Sequence, residues 1–209
     1  MSEKQAKKVS KKKVALIVTL VCVGIVALSL LTASLDPAAL AKRWFGKEQA
    51  PDQEIDFYPV NEDEDILERE DYLGLDRYVY YTDPMTGETF VPERHELATV
   101  DAALPFFYDY LDCIMRGDEA TYPLYFSTAY LESNELPADF TMQMLYDIRI
   151  EPFLSDKDRT AYLLEYKIYR NNGTFRRDIG SNAARTLLVF LTYEQGTPCI
   201  DAMQPYTGY

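Results

Sequence analysis

Leu104-Pro105-Phe106-Phe107-Tyr108-Asp109-Tyr110-Leu111-Asp112-Cys113-Ile114-Met115-Arg116-Gly117-Asp118, residues 104–118, is the first stretch whose pattern commits the chain to a structure. Leu104, Phe107, Tyr108, Leu111, Ile114 and Met115 recur at three- and four-residue steps, so a helix gathers them on one face. Gly117 suits the left-handed position that ends such a helix, and Asp118 can accept from the first amides of a following one. Tyr122, Tyr125, Phe126, Tyr130 and Leu131 supply the apolar face of that second helix, and a short helical turn is expected from Phe140 to Leu145.

Downstream the apolar period falls from about 3.6 to 2. Tyr146, Ile148 and Ile150 alternate with Asp147, Arg149 and Glu151, and Tyr162, Leu164, Tyr166 and Ile168 alternate with Leu163, Glu165, Lys167 and Tyr169. Both segments read as strands with one buried face. Asn171-Asn172-Gly173 offers a tight hairpin turn before Thr174 and Phe175. Thr186 to Tyr193 is apolar on both faces, as a central strand is, and Gln195-Gly196-Thr197 turns the chain into a closing strand through Cys199 and Ile200. Helices followed by a strand meander give an α+β domain over 96–209, with the helices packed on a curved antiparallel sheet.

Upstream, the aromatic and β-branched runs Tyr78–Tyr81 and Thr89–Val91 flank Asp83-Pro84-Met85-Thr86-Gly87, which reads as a hairpin over 77–95 on the domain edge. The segment 36–76 is juxtamembrane and then strongly acidic, and most of it from about Gly46 reads as a solvated spacer. Asn61-Glu62-Asp63-Glu64-Asp65 lacks the glycine and distal glutamate of a calcium loop.

Val14 to Leu35 contains no charged residue, and at about 1.5 Å per residue it reaches about 33 Å, enough to cross a hydrocarbon core of roughly 30 Å. Residues 1–13 carry six lysines against the single acid Glu3, a bias that keeps the N-terminus in the cytoplasm and sends the C-terminal domain outside. Lys12, Lys13, Lys42, Arg43, Trp44 and Phe45 are the expected membrane-interface anchors. The apolar run is too long and too poorly ended for a cleaved signal peptide. The expectation is a single-pass signal-anchor protein.

Phe106-Phe107-Tyr108 through Gly117-Asp118, then Tyr122 and Tyr125-Phe126-Ser127, followed by the strand meander, resembles the nuclear-transport-factor-2-like superfamily, also called SnoaL-like or ketosteroid-isomerase-like. The resemblance covers about 110 residues and rests on element order and the Gly-Asp junction. It implies a cone enclosing an apolar pocket that some members use for catalysis and many use only for binding or dimerisation. No catalytic pair stands at matching positions, so the resemblance transfers no catalytic residue. Basic tail, one span and a small outer domain together are also similar to the VirB-type scaffold subunits of type IV secretion machines.

The remaining chemistry is sparse. The chain has no phosphate loop, no nucleophile elbow and no paired metal-ligand spacing, and its one histidine, His95, excludes most triads and zinc sites; no cofactor or metal is implied. A net charge of about −20 beyond residue 47 repels nucleic acid. Arg170, Arg176, Arg177 and Arg185 form a basic patch, paired with nearby carboxylates or open to an acidic partner surface. Cys113 and Cys199 are a candidate disulfide closing a loop of about 85 residues, with two buried thiols as the alternative. Asn172-Gly173-Thr174 is both a sequon and a turn. The functional expectation is a non-catalytic protein-binding or assembly module of a bacterial envelope, with a protein partner or second copy. The alternative is a small-ligand or isomerase-like domain using the cone pocket.

Overall fold

The alternating segments become the two central strands of a six-stranded sheet in the computed structural model, which describes residues 55–60, 65–155 and 160–208. The strands are β1 (Val79–Thr82), β2 (Thr89–Phe90), β3 (Met144–Ser155), β4 (Thr160–Tyr169), β5 (Leu187–Glu194) and β6 (Thr197–Pro205), in the order β2-β1-β3-β4-β5-β6. Four α-helices accompany them among the described residues: α1 (Glu70–Leu73), α2 (Leu97–Val100), α3 (Leu104–Arg116) and α4 (Thr128–Ser133). The architecture is α+β. The predicted span at 14–35, its flanking anchors and the basic tail lie outside the described residues. No helix among the described residues is long and apolar enough to cross a membrane.

The sheet is mixed rather than wholly antiparallel. β3 to β6 form the expected meander, but β1 lies parallel to β3, with Val79 opposite Ile148 and Tyr81 opposite Ile150. All of α2, α3 and α4 intervene between these strands, and a connection of that length brings the chain back in the same direction. The upstream hairpin is therefore part of the sheet: β2 closes antiparallel on β1 through an Asp83–Gly87 turn in which Gly87 adopts φ 72°.

β4 keeps its predicted face, with Tyr162, Leu164, Tyr166 and Ile168 buried. β3 does not keep a simple alternation. Asp147 takes a left-handed conformation (φ 51°) and the register shifts between Tyr146 and Arg149, so Leu145 enters the core with Ile148 and Ile150 while Tyr146 turns outward to Asn182. The Asp147 amide donates to the Asp76 carbonyl at 2.8 Å, which fixes the bulge to the entry of β1.

Three further expectations are corrected. The second helix is broken into a 3-10 turn, Tyr122–Tyr125, and α4, because Pro123 opens the turn and Phe126 leaves helical geometry to bridge Ile200. Ser127 restarts the helix as its N-cap, accepting from the Tyr130 amide at 3.0 Å. Phe140 to Leu145 is extended, not helical, and leads into β3. Asn171-Asn172-Gly173 is not a two-strand hairpin turn: Asn171 is buried and binds the Arg176 and Ile179 carbonyls, organising a loop over 170–186 that delivers the chain to β5 beside β4. Gln195 and Gly196, both at positive φ, make the predicted tight turn between β5 and β6.

α3 ends as read, with Gly117 at φ 65° and its amide bonded to Ile114, followed by Asp118 bonded to Cys113. Its buried face is Leu104, Phe106, Phe107, Tyr110, Leu111, Cys113 and Ile114, while Tyr108 and Met115 lie at the margin.

Candidate functional site

Where the resemblance would place a pocket, between helices and sheet, side chains meet. Tyr122 is the hub. Its ring lies 5.0 Å from Phe126, 5.1 Å from Phe140, 5.6 Å from Phe175 and 5.8 Å from Tyr110, mostly edge to face. Tyr110 and Tyr122 share a hydroxyl–hydroxyl hydrogen bond of 3.3 Å, and burial holds both phenols protonated far above the ordinary tyrosine range. On the sheet side Phe107 packs edge-on to Tyr162 at 5.0 Å.

A Tyr–Asp constellation stands at one end of this core. Asp101, between α2 and α3, accepts from the Tyr81 hydroxyl of β1 at 3.1 Å and from the Tyr162 hydroxyl of β4 at 2.9 Å. The same carboxylate accepts from the Ala103 amide at 2.8 Å, so it also holds the entry into α3. Burial, then the Asp101 charge, raises both phenols. The arrangement clamps two strands to the helix junction.

A second feature lies outside the core. The segment expected to be a spacer folds back on the domain at residues 55–60 and 65–76. The Tyr58 amide donates to the Asn171 carbonyl at 2.9 Å, the Phe57 ring covers Gly173, where a Cβ would stand 2.7 Å from it, and Tyr72 on α1 is buried with its hydroxyl on the Leu145 carbonyl at 2.7 Å. Between this segment and the wall that precedes β3 runs a cleft of about 610 Å³. Tyr58, Pro59, Val60, Ile66, Phe140, Met142 and Met144 give it an apolar surface, and Arg69, Arg116, Arg170, Glu119 and Asp139 give it charge. Its far wall is tight: a Cβ at Gly117 would stand 2.6 Å from the Met142 nitrogen.

Behind that wall, Gln143 is buried and its Nε2 lies near the Thr141 carbonyl, Asn172 and Thr174, while its Oε1 is buried without a partner among the described residues. The Asn172 side chain is engaged in the same network through Thr141 Oγ1 at 2.9 Å, so the sequon's asparagine is part of the domain's packing.

The basic patch divides. Arg176 binds Asp178 through two nitrogens at 2.5 and 2.7 Å and lies over the Tyr166 ring; Arg185 reaches the same carboxylate at 2.8 Å. Arg177 donates to the Gly173 carbonyl at 3.0 Å. Arg170 alone of the four lines the cleft, 2.9 Å from Asp71. Asp71 also accepts two bonds of 3.0 Å from Arg69, and this pairing, with Arg170 beside it, lowers its pKa to about 2.

Cys113 and Cys199 are free and buried, each donating to its own carbonyl, Asp118 at 3.2 Å and Thr192 at 3.7 Å. Burial, with Asp118 and Asp112 nearby, pushes the Cys113 thiol up to about 11, which makes it a poor nucleophile. His95 is exposed between Glu93 and Glu96. Among the described residues no group of three or more His, Cys, Asp or Glu side chains is placed to hold a metal.

Tyr58 escapes a reading of the sequence because the acidic run hides the apolar Phe57-Tyr58-Pro59-Val60 inside it; Arg69 lies within that run and Arg116 closes α3, outside it. That tetrapeptide is the available signal. Comparison of the chain with family models, with curated proteins and with solved structures returns no match.

Proposed function

We propose that the chain is a single-pass membrane protein whose outer domain, a cone-like fold of the nuclear-transport-factor-2-like kind, serves as a non-catalytic binding or assembly module of a bacterial envelope. The anchor is residues 14–35, with the lysine-rich tail inside and the acidic domain outside. The observation that supports the reading is the aromatic packing around Tyr122: between helices and sheet, where such a fold would hold a pocket, the protein's own rings pack against one another. Asp101 with Tyr81 and Tyr162, the one convergent acid–phenol group beside that core among the described residues, is committed to joining β1, β4 and α3. A domain built this way acts through its surface.

In-cell crosslinking of the full-length chain, read by mass spectrometry beside a chain lacking residues 1–45, tests it. Reproducible envelope proteins, or a second copy, captured only with the anchor present are the expected result. Loss of every protein partner, with a small molecule retained among the core aromatics, overturns it.

A further inference from the structure

The cleft between the folded-back segment and the β3 wall has the size and lining of a small-molecule site, since such sites span roughly 300–1,000 Å³ and combine a mainly apolar surface with a few placed polar groups. We propose that it binds a small anionic amphiphile: one carboxylate or phosphate head on an apolar body. This does not rest on the assembly reading: of the rings packed around Tyr122 only Phe140 also lines the cleft.

Arg170 is the head-group residue. Its guanidinium sits 5.7 Å from the Tyr58 ring and 5.4 Å from the Tyr169 ring, and Asp71 is its one carboxylate partner among the described residues. Its backbone is held at φ 49°, a conformation that side-chain-bearing residues seldom adopt without a compensating role. A guanidinium fork fixed in this way still presents donors that match the paired oxygens of a carboxylate or phosphate. Arg69, paired with Asp71, and Arg116, paired with Asp112 at 2.9 Å, stand on the same lining. Glu119 and Asp139, also on the lining, oppose a second anionic group elsewhere on the ligand and so restrict it to one anionic head.

The apolar body meets Val60, Ile66, Phe140, Met142 and Met144; the two thioethers conform readily to irregular chains. A peptide is disfavoured by the wall's backbone. The Thr141 amide already donates to Thr174 Oγ1 at 3.1 Å and the Gln143 amide to the Met115 carbonyl at 3.1 Å, while the Thr141 carbonyl accepts from Gln143 at 2.8 Å. With these groups engaged, the wall offers no strand edge to an added strand, so recognition falls to side chains.

The test is a titration of the full-length chain in neutral maltoside micelles, with methionine methyl groups labelled for NMR. Decanoate and decyl phosphate are the probes, and decanol and inorganic phosphate supply the tail and the head alone. Both decyl anions should shift the Met142 and Met144 signals saturably, and Arg170→Gln should raise their dissociation constants at least tenfold. Val60→Glu, at a half-exposed position on the opposite wall, should do the same, with an unmoved Met203 signal reporting an intact fold in both variants. Decanol binding as tightly as decanoate, inorganic phosphate binding as tightly as decyl phosphate, or unchanged affinity in folded Arg170→Gln would each overturn the proposal.

Discussion

Gly117 shows how one residue couples two elements. It ends α3 in the left-handed region, and its missing side chain lets the Thr141–Met142 backbone lie against the helix end at distances that no Cβ permits. Gly196 has the same backbone sign but open space around it. Gly196→Ala should therefore lose about 1–2 kcal/mol of stability from conformation alone, whereas Gly117→Ala should lose about 3 kcal/mol or more because backbone must also move. Urea unfolding of the two variants checks the difference. Asp71 supplies a pH prediction. Its folded pKa of about 2 lies below its ordinary 3.8, so its contribution is complete above the ordinary value and disappears as pH falls toward the folded one. The unfolding midpoint should fall between about pH 4 and pH 2, and less so in Asp71→Asn; equal slopes in the two proteins would mean that the Arg69–Asp71–Arg170 cluster does not hold the segment.

At the scale of elements, α1 is too short to persist by itself, and its place depends on what it buries. Tyr72 supplies that burial: it is 1% exposed, spans to the Leu145 carbonyl, and lies under the Arg77 guanidinium at 5.3 Å. Tyr72→Phe should lose about 1 kcal/mol, the usual net value of one hydrogen bond. Tyr72→Ala should lose about 3–5 kcal/mol, as for other large core truncations, and should make the chain cleavable by trypsin after Arg69. Unchanged cleavage would show that the segment is held without α1. β3 displays the same dependence on neighbours: its residues alternate well in sequence, yet the Asp147 bulge, tied to Asp76 and to Lys167 at 2.7 Å, exchanges Leu145 for Tyr146 in the core.

For the molecule as a whole, net charge acts against the compact state. A net charge of about −20 beyond residue 47 repels itself in the compact state, and ion pairs such as Arg176–Asp178 and Arg170–Asp71 offset this only locally. Raising ionic strength from about 0.01 M to 0.15 M shortens the screening length from about 30 Å to about 8 Å. Thermal unfolding followed by circular dichroism should move upward by several degrees over that range. A fall instead would mean that attractive pairs outweigh the repulsion.

The amino-acid sequence by itself determined the elements whose causes are local. Helix α3 with its Gly117 stop, the alternation of β4, the β5–β6 turn at Gln195-Gly196 and the Asp83–Gly87 turn all follow from periods and backbone preferences acting over a few residues. Tertiary structure alone decided the parallel β1–β3 pairing, the break at Phe126, the irregular path after Asn171 and the docking of residues 55–60 and 65–76. Each of these depends on a partner distant from the local pattern: Ile148 for Val79, Ile200 for Phe126, Ile179 for Asn171 and Leu145 for Tyr72. The cleft belongs to this second group, since Tyr58, Arg116, Met142 and Arg170 have no common sequence signature and become neighbours only when an acidic segment that looks solvated finds enough apolar surface to fold back.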